Sequence, residues 1–540
     1  MCCRLDEHSL DEYSLDEYSL DEYCLDEFYP IGVTALRRGH RVREGNPSVH
    51  RVHHLALASV ALLCVFVIAA GLAVARLLPR RLELWDVTRV GAGRVTAPQA
   101  PLGAAGGAAA TGGGISGGAT AAGLSSALGP LLTSPSMGSH VGLLITSLAT
   151  GQVLYSRHAT SGFAPASTTK LATAVAALHA LGPQARFSTK VVMTVKGAGE
   201  AGGGATPQLI LVGGGDPTLA AGQPPAADYP QDATLKTLAA QAARALRARG
   251  TRRVRLGYDT SLYTGTGMAP GWPKSYVTTG NVTPISSLEV DQGRLTASGA
   301  PQDADDPGNT SPRTFFPAPE AANAFAGFLA ADGIRVSGGP AARTASAGAA
   351  TLGRVQSPPL AQIVQQMLEE SNNVIAENLA RHVAIATGQP ASFDGAATAE
   401  MSVLQGLGVT GVHLVDGSGL SPRDRISPAA LVAVIGRASA PGQSRLRAAI
   451  TGLPVAGFSG TLAPGGSVFA EAGRAALGLV RAKTGNLNTV AALAGIAYDK
   501  NGQLLSFAVM ADKLKMGALN QAGAQIARVA TALARCGCHA

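Results

Sequence analysis

The rhythm of hydrophobic and polar positions changes several times along this chain. Residues 5–27 repeat a five-residue unit, with Leu-Asp-Glu recurring at Leu5, Leu10, Leu15, Leu20 and Leu25. Such a repeat has no apolar face to bury, so residues 1–54, including the basic stretch that follows it, are expected to be disordered. From Leu55 to Ala75 the chain is apolar and uncharged. That is long enough, at ~20 residues, to cross a bilayer as a helix, and longer than the ~7–15-residue core of a cleaved signal peptide. An uncleaved anchor over 55–75 is the expectation. Residues 91–128 are dominated by Ala, Gly, Ser and Thr and read as a flexible linker holding a folded domain off the membrane.

The pattern of a folded domain begins near Ser139. Strand-like runs at Val141–Leu148 and Gln152–Ser156 flank Ala149-Thr150-Gly151, which predicts a hairpin. A helix is predicted from Ser167 to Leu181. The middle of the chain, roughly 187–350, alternates short β-like runs with Gly- and Pro-rich turns such as Val212-Gly-Gly-Gly-Asp-Pro-Thr218. Helical periodicity returns over Leu360–Glu370 and Asn373–Ala386. Three late strands are predicted at Leu479–Lys483, Thr489–Tyr498 and Leu504–Met510, the last two joined by the turn Asp499-Lys-Asn-Gly502. A final helix is predicted over about 517–535.

Composition narrows the function classes. Hydrophobic residues make up 46% of the chain, enough for a sizeable core. The net charge is +8, and eight arginines between residues 37 and 81 flank the apolar run. No basic stripe interleaved with aromatics follows, so a nucleic-acid partner is not expected. Cysteine is absent between residues 65 and 535, which excludes a thiol nucleophile or internal disulfide framework there. The Cys536-Gly-Cys538-His539 end has the residues for a metal site or a strained bridge, but a loose tail is the expectation. No His-Glu-x-x-His occurs, so neither metal nor cofactor is expected.

Three short motifs carry the chemistry. In Ser167-Thr168-Thr169-Lys170, serine and lysine lie one helical turn apart on one face, and Lys170 is the only lysine preceded by serine at that spacing. Ser167 follows Pro165-Ala166, at the positive end of the predicted helix, which favours an anionic oxygen. Ser371-Asn372-Asn373 is the only Ser-x-Asn, and Lys483-Thr484-Gly485 the only Lys-Thr-Gly. Each alone has an ordinary structural reading: a helix cap, a solvated lysine, a turn. Unique and in this order, they form the S-x-x-K, S-x-N, K-T-G set of penicillin-binding proteins and serine β-lactamases.

The chain resembles most closely the D-alanyl-D-alanine carboxypeptidase/endopeptidase family of low-molecular-mass penicillin-binding proteins. In that family, as here, S-x-x-K and S-x-N are far apart: Lys170 and Ser371 are separated by about 200 residues, a much longer gap than in class A β-lactamases. Leu211-Val-Gly-Gly-Gly-Asp-Pro-Thr-Leu219 and Asp416-Gly-Ser-Gly-Leu-Ser421 also match the family. The resemblance spans roughly 135–535. It implies an α+β fold of the serine β-lactamase/transpeptidase kind, an antiparallel sheet flanked by helices. The catalytic domain would be discontinuous, built from 135–190 and 351–535, with a mostly β inserted subdomain at 191–350.

The resemblance also implies roles. Ser167 is the expected nucleophile and Lys170 its general base, its pKa lowered by burial and by Lys483. Ser371 would bridge the two lysines and relay a proton to the leaving D-alanine. Asn373 would bind the substrate's peptide amide, Lys483, Thr484 and Gly485 its terminal carboxylate region, and the amides of Ser167 and Asn486 its oxyanion. Asn486 departs from the family, which more often has Thr or Ser there. Asp216 and Asp416 read as turn-formers. The expected activity is removal of the terminal D-alanine from peptidoglycan stem peptides, with crosslink cleavage as a further expectation and β-lactams as covalent ligands. This chemistry requires an extracytoplasmic catalytic domain. Two rivals remain at this point: a β-lactamase, and a catalytically idle wall-binding or β-lactam-sensing protein.

Overall fold

The computed structural model describes residues 121–194, 206–222, 232–295, 311–464, 469 and 474–536. The acidic repeat and the apolar segment 55–75 lie outside them. Among the described residues no helix is long and apolar enough to cross a membrane.

The first described element corrects the expected linker end. Helix α1 spans Ala121–Leu132, so ordered structure starts before Ser139 and the linker cannot run to 128. Leu124, Leu128 and Leu132 recur every fourth residue and are all buried, the spacing of one helix face. They pack with residues of the C-terminal helix, among them Ile526, Ala530 and Leu533. A short sequence so rich in Ala and Gly looks like linker until its distant partner is in view.

The hairpin follows, β1 at His140–Ser147 and β2 at Val153–Arg157. After a 3₁₀ turn at Ala166–Thr168 comes helix α2, Thr169–Leu181. Every residue of α2 from Thr169 to Leu178 is buried, the mark of a helix enclosed on all sides. The chain then enters the insertion: β3 (Ser188–Thr194), β4 (Gln208–Val212), α3 (Leu235–Ala248), β5 (Arg253–Asp259), α4 (Pro317–Ala331), β6 (Arg335–Val336), β7 (Ala341–Ala342) and β8 (Ala350–Gln356). It returns through α5 (Leu360–Glu369), α6 (Asn373–Ala386), α7 (Phe393–Gly406) and α8 (Pro428–Ser439). The late strands β9 (Val480–Leu487), β10 (Val490–Tyr498) and β11 (Leu504–Asp512) and helix α9 (Leu519–Arg535) complete it.

The catalytic sheet has the order β9-β10-β11-β1-β2, antiparallel throughout. β1 and β11 run in register from His140↔Asp512 to Ser147↔Leu505, so the two pieces of the domain meet at its centre. Alternate strand residues enter different cores. Leu144, Ala494, Ala508 and Met510 face a cluster with α2, α5, α6 and α8. Val141, Leu143, Leu493, Phe507 and Val509 face a cluster with α1 and α9. Helices therefore cover both faces, as the resemblance implied.

The insertion is built on a six-stranded sheet of order β6-β5-β4-β3-β8, with β7 beside β5. It also carries two helices of 14 and 15 residues. They follow from its parallel pairs, β4–β5 and β5–β6, because parallel neighbours need crossover connections. Leu235, Leu238, Ala242 and Leu246 of α3 are buried at helical spacing. Ser188 and Gln356 are register partners, so the insertion is entered and left side by side. At the end of α9, Cys536 is buried and disulfide-bonded, in place of the loose tail expected; its partner lies outside the described residues.

Candidate active site

Ser167 sits in the 3₁₀ turn rather than in the helix proper, which begins at Thr169. Ala166 before it has φ 47°, a left-handed conformation costly for a residue with a Cβ. Two glycines let neighbouring backbone press against this turn. A Cβ at Gly419 would lie 1.9 Å from the carbonyl oxygen of Ala166, and one at Gly485 2.5 Å from that of Pro165. The turn is thus gripped between the 416–421 loop and strand β9, and strain is held where the hydroxyl must be presented.

Lys170 lies in the first turn of α2 and is fully buried. Its Nζ is 3.0 Å from Ser167 Oγ and donates to Asn373 Oδ1 at 2.7 Å and to the Ser418 carbonyl at 2.7 Å. Those contacts use all three of its protons. Burial pushes its pKa down to about 7, against the opposing pull of Asp416 and then Glu377. Lys483 on β9 is also fully buried and donates to the Thr484 carbonyl at 3.1 Å. Burial, and then the charge of Lys170, hold it well below the usual lysine range. Desolvation is thus the first cause of the lowered pKa in both lysines.

Ser371 occupies the tight connection between α5 and α6, with φ 58°. The N-cap of α6 is Asn372, whose side chain accepts from Ile375 N at 3.1 Å. The Ser371 hydroxyl is therefore not consumed as a cap, and it faces the cleft beside Ser167. The bridge expected between the lysines through Ser371 is not formed: neither lysine's hydrogen bonds go to it. Asn373 takes that central place beside Lys170 and donates from Nδ2 to the Asn281 carbonyl at 2.9 Å. Thr484 Oγ1 donates to Thr461 Oγ1 at 3.1 Å, and exposed Asn486 lies one residue beyond Gly485 on the same strand.

The cleft has a volume of about 1060 Å³. Ser167, Ser371, Asn373, Thr484 and Asn486 line it, joined by Tyr276 and Asn281 from the insertion. The insertion is thus a wall of the site. Its Gln292 accepts from Asn372 Nδ2 at 2.6 Å, its Glu289 from Asn378 Nδ2 at 2.8 Å, and its Gly215 carbonyl from His382 Nε2 at 2.9 Å. Burial pushes the His382 imidazole down to about 4, so it is neutral at pH 7.

Below the cleft lies a set of buried carboxylates whose local sequence suggests turn chemistry at most. Asp416 accepts from the amides of Gly419 and Ser421, each at 2.6 Å, and from Trp272 Nε1 of the insertion at 2.9 Å. Glu377 accepts from the amides of Gly417 at 3.1 Å and Ser418 at 2.8 Å. Burial, then the charge of Asp416, push Glu377 up to about 7. Asp216 binds the amide and hydroxyl of Thr218, a turn as expected. Ser418 and Asp416 belong to a recognisable motif; Tyr276, Asn281 and Glu377 have no local signal.

Among the described residues, no histidine is hydrogen-bonded to Ser167; the group placed to take its proton is Lys170. This arrangement, on an antiparallel sheet between helical layers, is the one that a serine acyl-transfer enzyme with a lysine base requires. The chain belongs to the D-Ala-D-Ala carboxypeptidase 3 (S13) family, whose profile matches residues 124–313 and 295–533. It is 37% identical over 429 residues to carboxypeptidase DacB of Mycolicibacterium smegmatis, covering 78% of this chain and 86% of that protein. Over 443 residues it is 30% identical to the D-alanyl-D-alanine carboxypeptidase of an Actinomadura species, covering 69% and 78% respectively. Among solved structures, penicillin-binding protein 4 of Haemophilus influenzae shares the fold, with a TM-score of 0.59 at 22% identity over 74% of this chain and 97% of that one.

Proposed function

We propose that this chain is a serine-type D-alanyl-D-alanine carboxypeptidase acting on peptidoglycan stem peptides through an acyl-enzyme at Ser167. The observation that carries the mechanism is the 3.0 Å approach of Lys170 Nζ to Ser167 Oγ, with that lysine's pKa brought to about 7. Neutral Lys170 takes the hydroxyl proton as Oγ attacks the carbonyl of the penultimate D-alanine. The amides of Ser167 and Asn486 are assigned to the oxyanion. Collapse of the tetrahedral intermediate breaks the C–N bond, and the proton reaches the departing amine through Ser371 once that hydroxyl turns to Lys170, a contact the resting site does not make. Water then attacks the ester with Lys170 again as base, releasing the shortened peptide and restoring Ser167. Lys483 and Thr484 are assigned to the terminal carboxylate, and Asn373 to the substrate's peptide amide.

A β-lactam offers the same carbonyl and carboxylate, so it should acylate Ser167 and remain there. An amine acceptor in place of water, or a crosslink in place of the terminal D-alanine, would add transpeptidase or endopeptidase activity. The apolar segment 55–75 is assigned as a single-pass anchor, with the catalytic domain outside the cytoplasmic membrane where its substrate lies. Fluorescent penicillin labelling of the full chain beside Ser167→Ala, with release of D-alanine from a synthetic stem peptide, tests the reading. A stable band and D-alanine release, both lost in the variant, are expected. Rapid antibiotic hydrolysis without a stable band would instead make it a β-lactamase. A folded protein giving neither would make it an idle wall-binding protein.

A further inference from the structure

On the insertion, one edge of the sheet carries charge that forms no ion pair among the described residues. Residues 244–255 contain six arginines and no acid. Arg253 on β5 and Arg335 on β6 are register partners on neighbouring parallel strands, and both are exposed, as is Arg252. Like charges side by side on a sheet are unfavourable. Among the described residues none of the three pairs with a carboxylate. The acid nearest in sequence, Asp332, offers only its carbonyl, which accepts from Arg247 Nη1 at 2.5 Å. The three arginines, with Ala330, Gly333 and Ile334, line a hollow of about 560 Å³ whose lining shares no residue with the cleft.

We propose that this hollow binds the phosphate groups of an anionic, phosphodiester-linked polymer, holding the enzyme on a polyanion while the cleft works on peptide. Guanidinium forks match phosphate oxygens two at a time, and three of them converge with no acid among them. Exposed Arg247 and Arg249 at the end of α3 continue the positive surface, which suits a repeating anion over a single one. A bilayer surface is disfavoured because such sites pair basic side chains with exposed large apolar ones. None of the exposed large apolar side chains lines the hollow, and Ile334 is fully buried.

The test uses the full chain in detergent, with fluorescent poly(glycerol phosphate) as probe, polyglutamate of matched charge as the carboxylate control, and phosphatidylglycerol vesicles. Arg252→Ser/Arg253→Ser/Arg335→Ser is expected to weaken poly(glycerol phosphate) binding at least ~10-fold, since a single charged hydrogen bond can supply that factor. Wild-type binding should fall steeply with salt. The penicillin-labelling rate should not change; if the protein labels no penicillin at all, thermal melting serves as the fold control, so this inference and the cleft's activity fail separately. The triple lysine variant, which keeps the charge and loses the forks, should fall between, and it carries the test if the serine variant does not fold. Unchanged binding in the variants, equal affinity for polyglutamate, or binding to vesicles alone would each overturn the proposal.

Discussion

The carbonyl oxygen of Ser418 lies 2.7 Å from Nζ of Lys170, while the amide of the same residue donates to Glu377 at 2.8 Å. One residue's backbone therefore connects a buried carboxylate to the catalytic base. Base catalysis needs neutral Lys170, and that form gains population as pH rises through about 7. The acylation rate should climb across that range. Glu377 raises the lysine's pKa, so Glu377→Gln, which keeps an acceptor and removes the charge, should move the midpoint to lower pH. A displacement of a few tenths of a unit up to about one unit is expected. Penicillin-labelling rates between pH 5 and 9 measure it, and an unmoved or alkaline-shifted midpoint contradicts the link.

Trp272 connects the insertion to the same network through its indole N–H on Asp416. Trp272→Phe keeps most of the apolar packing with Phe393, Val374 and Leu420 but leaves a buried carboxylate short of one donor. A loss of about 1–3 kcal/mol in stability is expected, the usual penalty for an unmet buried polar group. Acylation should slow as the 416–421 loop loosens behind Lys170. Denaturant unfolding and labelling rates on one preparation read both; a stable variant with full activity would show the bond to be incidental.

Gly485 tolerates no side chain because a Cβ would meet the Pro165 carbonyl at 2.5 Å and the Thr168 amide at 3.2 Å. Gly485→Ala should push β9 off the nucleophile turn and displace Lys483 and Thr484 from the cleft. We expect acylation to fall by roughly 100-fold, as small misplacements near reacting atoms do. Circular dichroism should remain near wild type, because the rest of β9 keeps its pairing with β10. Near-normal labelling would mean that the strand yields without consequence for the site.

Helix α1 docks on the catalytic domain through three leucines. Leu128 is fully buried, so Leu128→Ala should cost about 2–5 kcal/mol and lower the melting temperature by several degrees. Deleting 1–134 should destabilise the domain in the same sense. A variant melting with wild type would show α1 to be a loosely attached appendage.

Much of the fold and of the site is legible in the amino-acid sequence, for identifiable reasons. Helix α6 is readable to the residue from its regular apolar pattern, although its cap is Asn372 and not Ser371, the cap the sequence suggests. The central strands announce themselves by buried apolar runs, and the reacting groups by three motifs whose chemistry is local. What escapes depends on distant partners. The leucines of α1 acquire meaning only against α9, nearly 400 residues later in the sequence. Tyr276 and Asn281 reach the cleft because of how the insertion folds back, and nothing in their neighbours marks them. Lys170 bonds to Asn373 where a bridge through Ser371 was expected, a choice between two polar residues of one motif that only their placement decides.

The side-by-side exit and entry of the insertion, marked by Ser188↔Gln356, bears on how such a chain can be assembled. Two strand neighbours can be closed by a hairpin turn, so a catalytic domain lacking the insertion needs no rearrangement of its own strands. The entropic cost of closing a loop rises only slowly with length, which makes the step from a short turn to about 170 residues thermodynamically mild. With Asn281 on Asn373 and Trp272 on Asp416, the graft has become part of the machinery. Its excision is expected to leave a protein that folds and yet has lost one wall of its cleft.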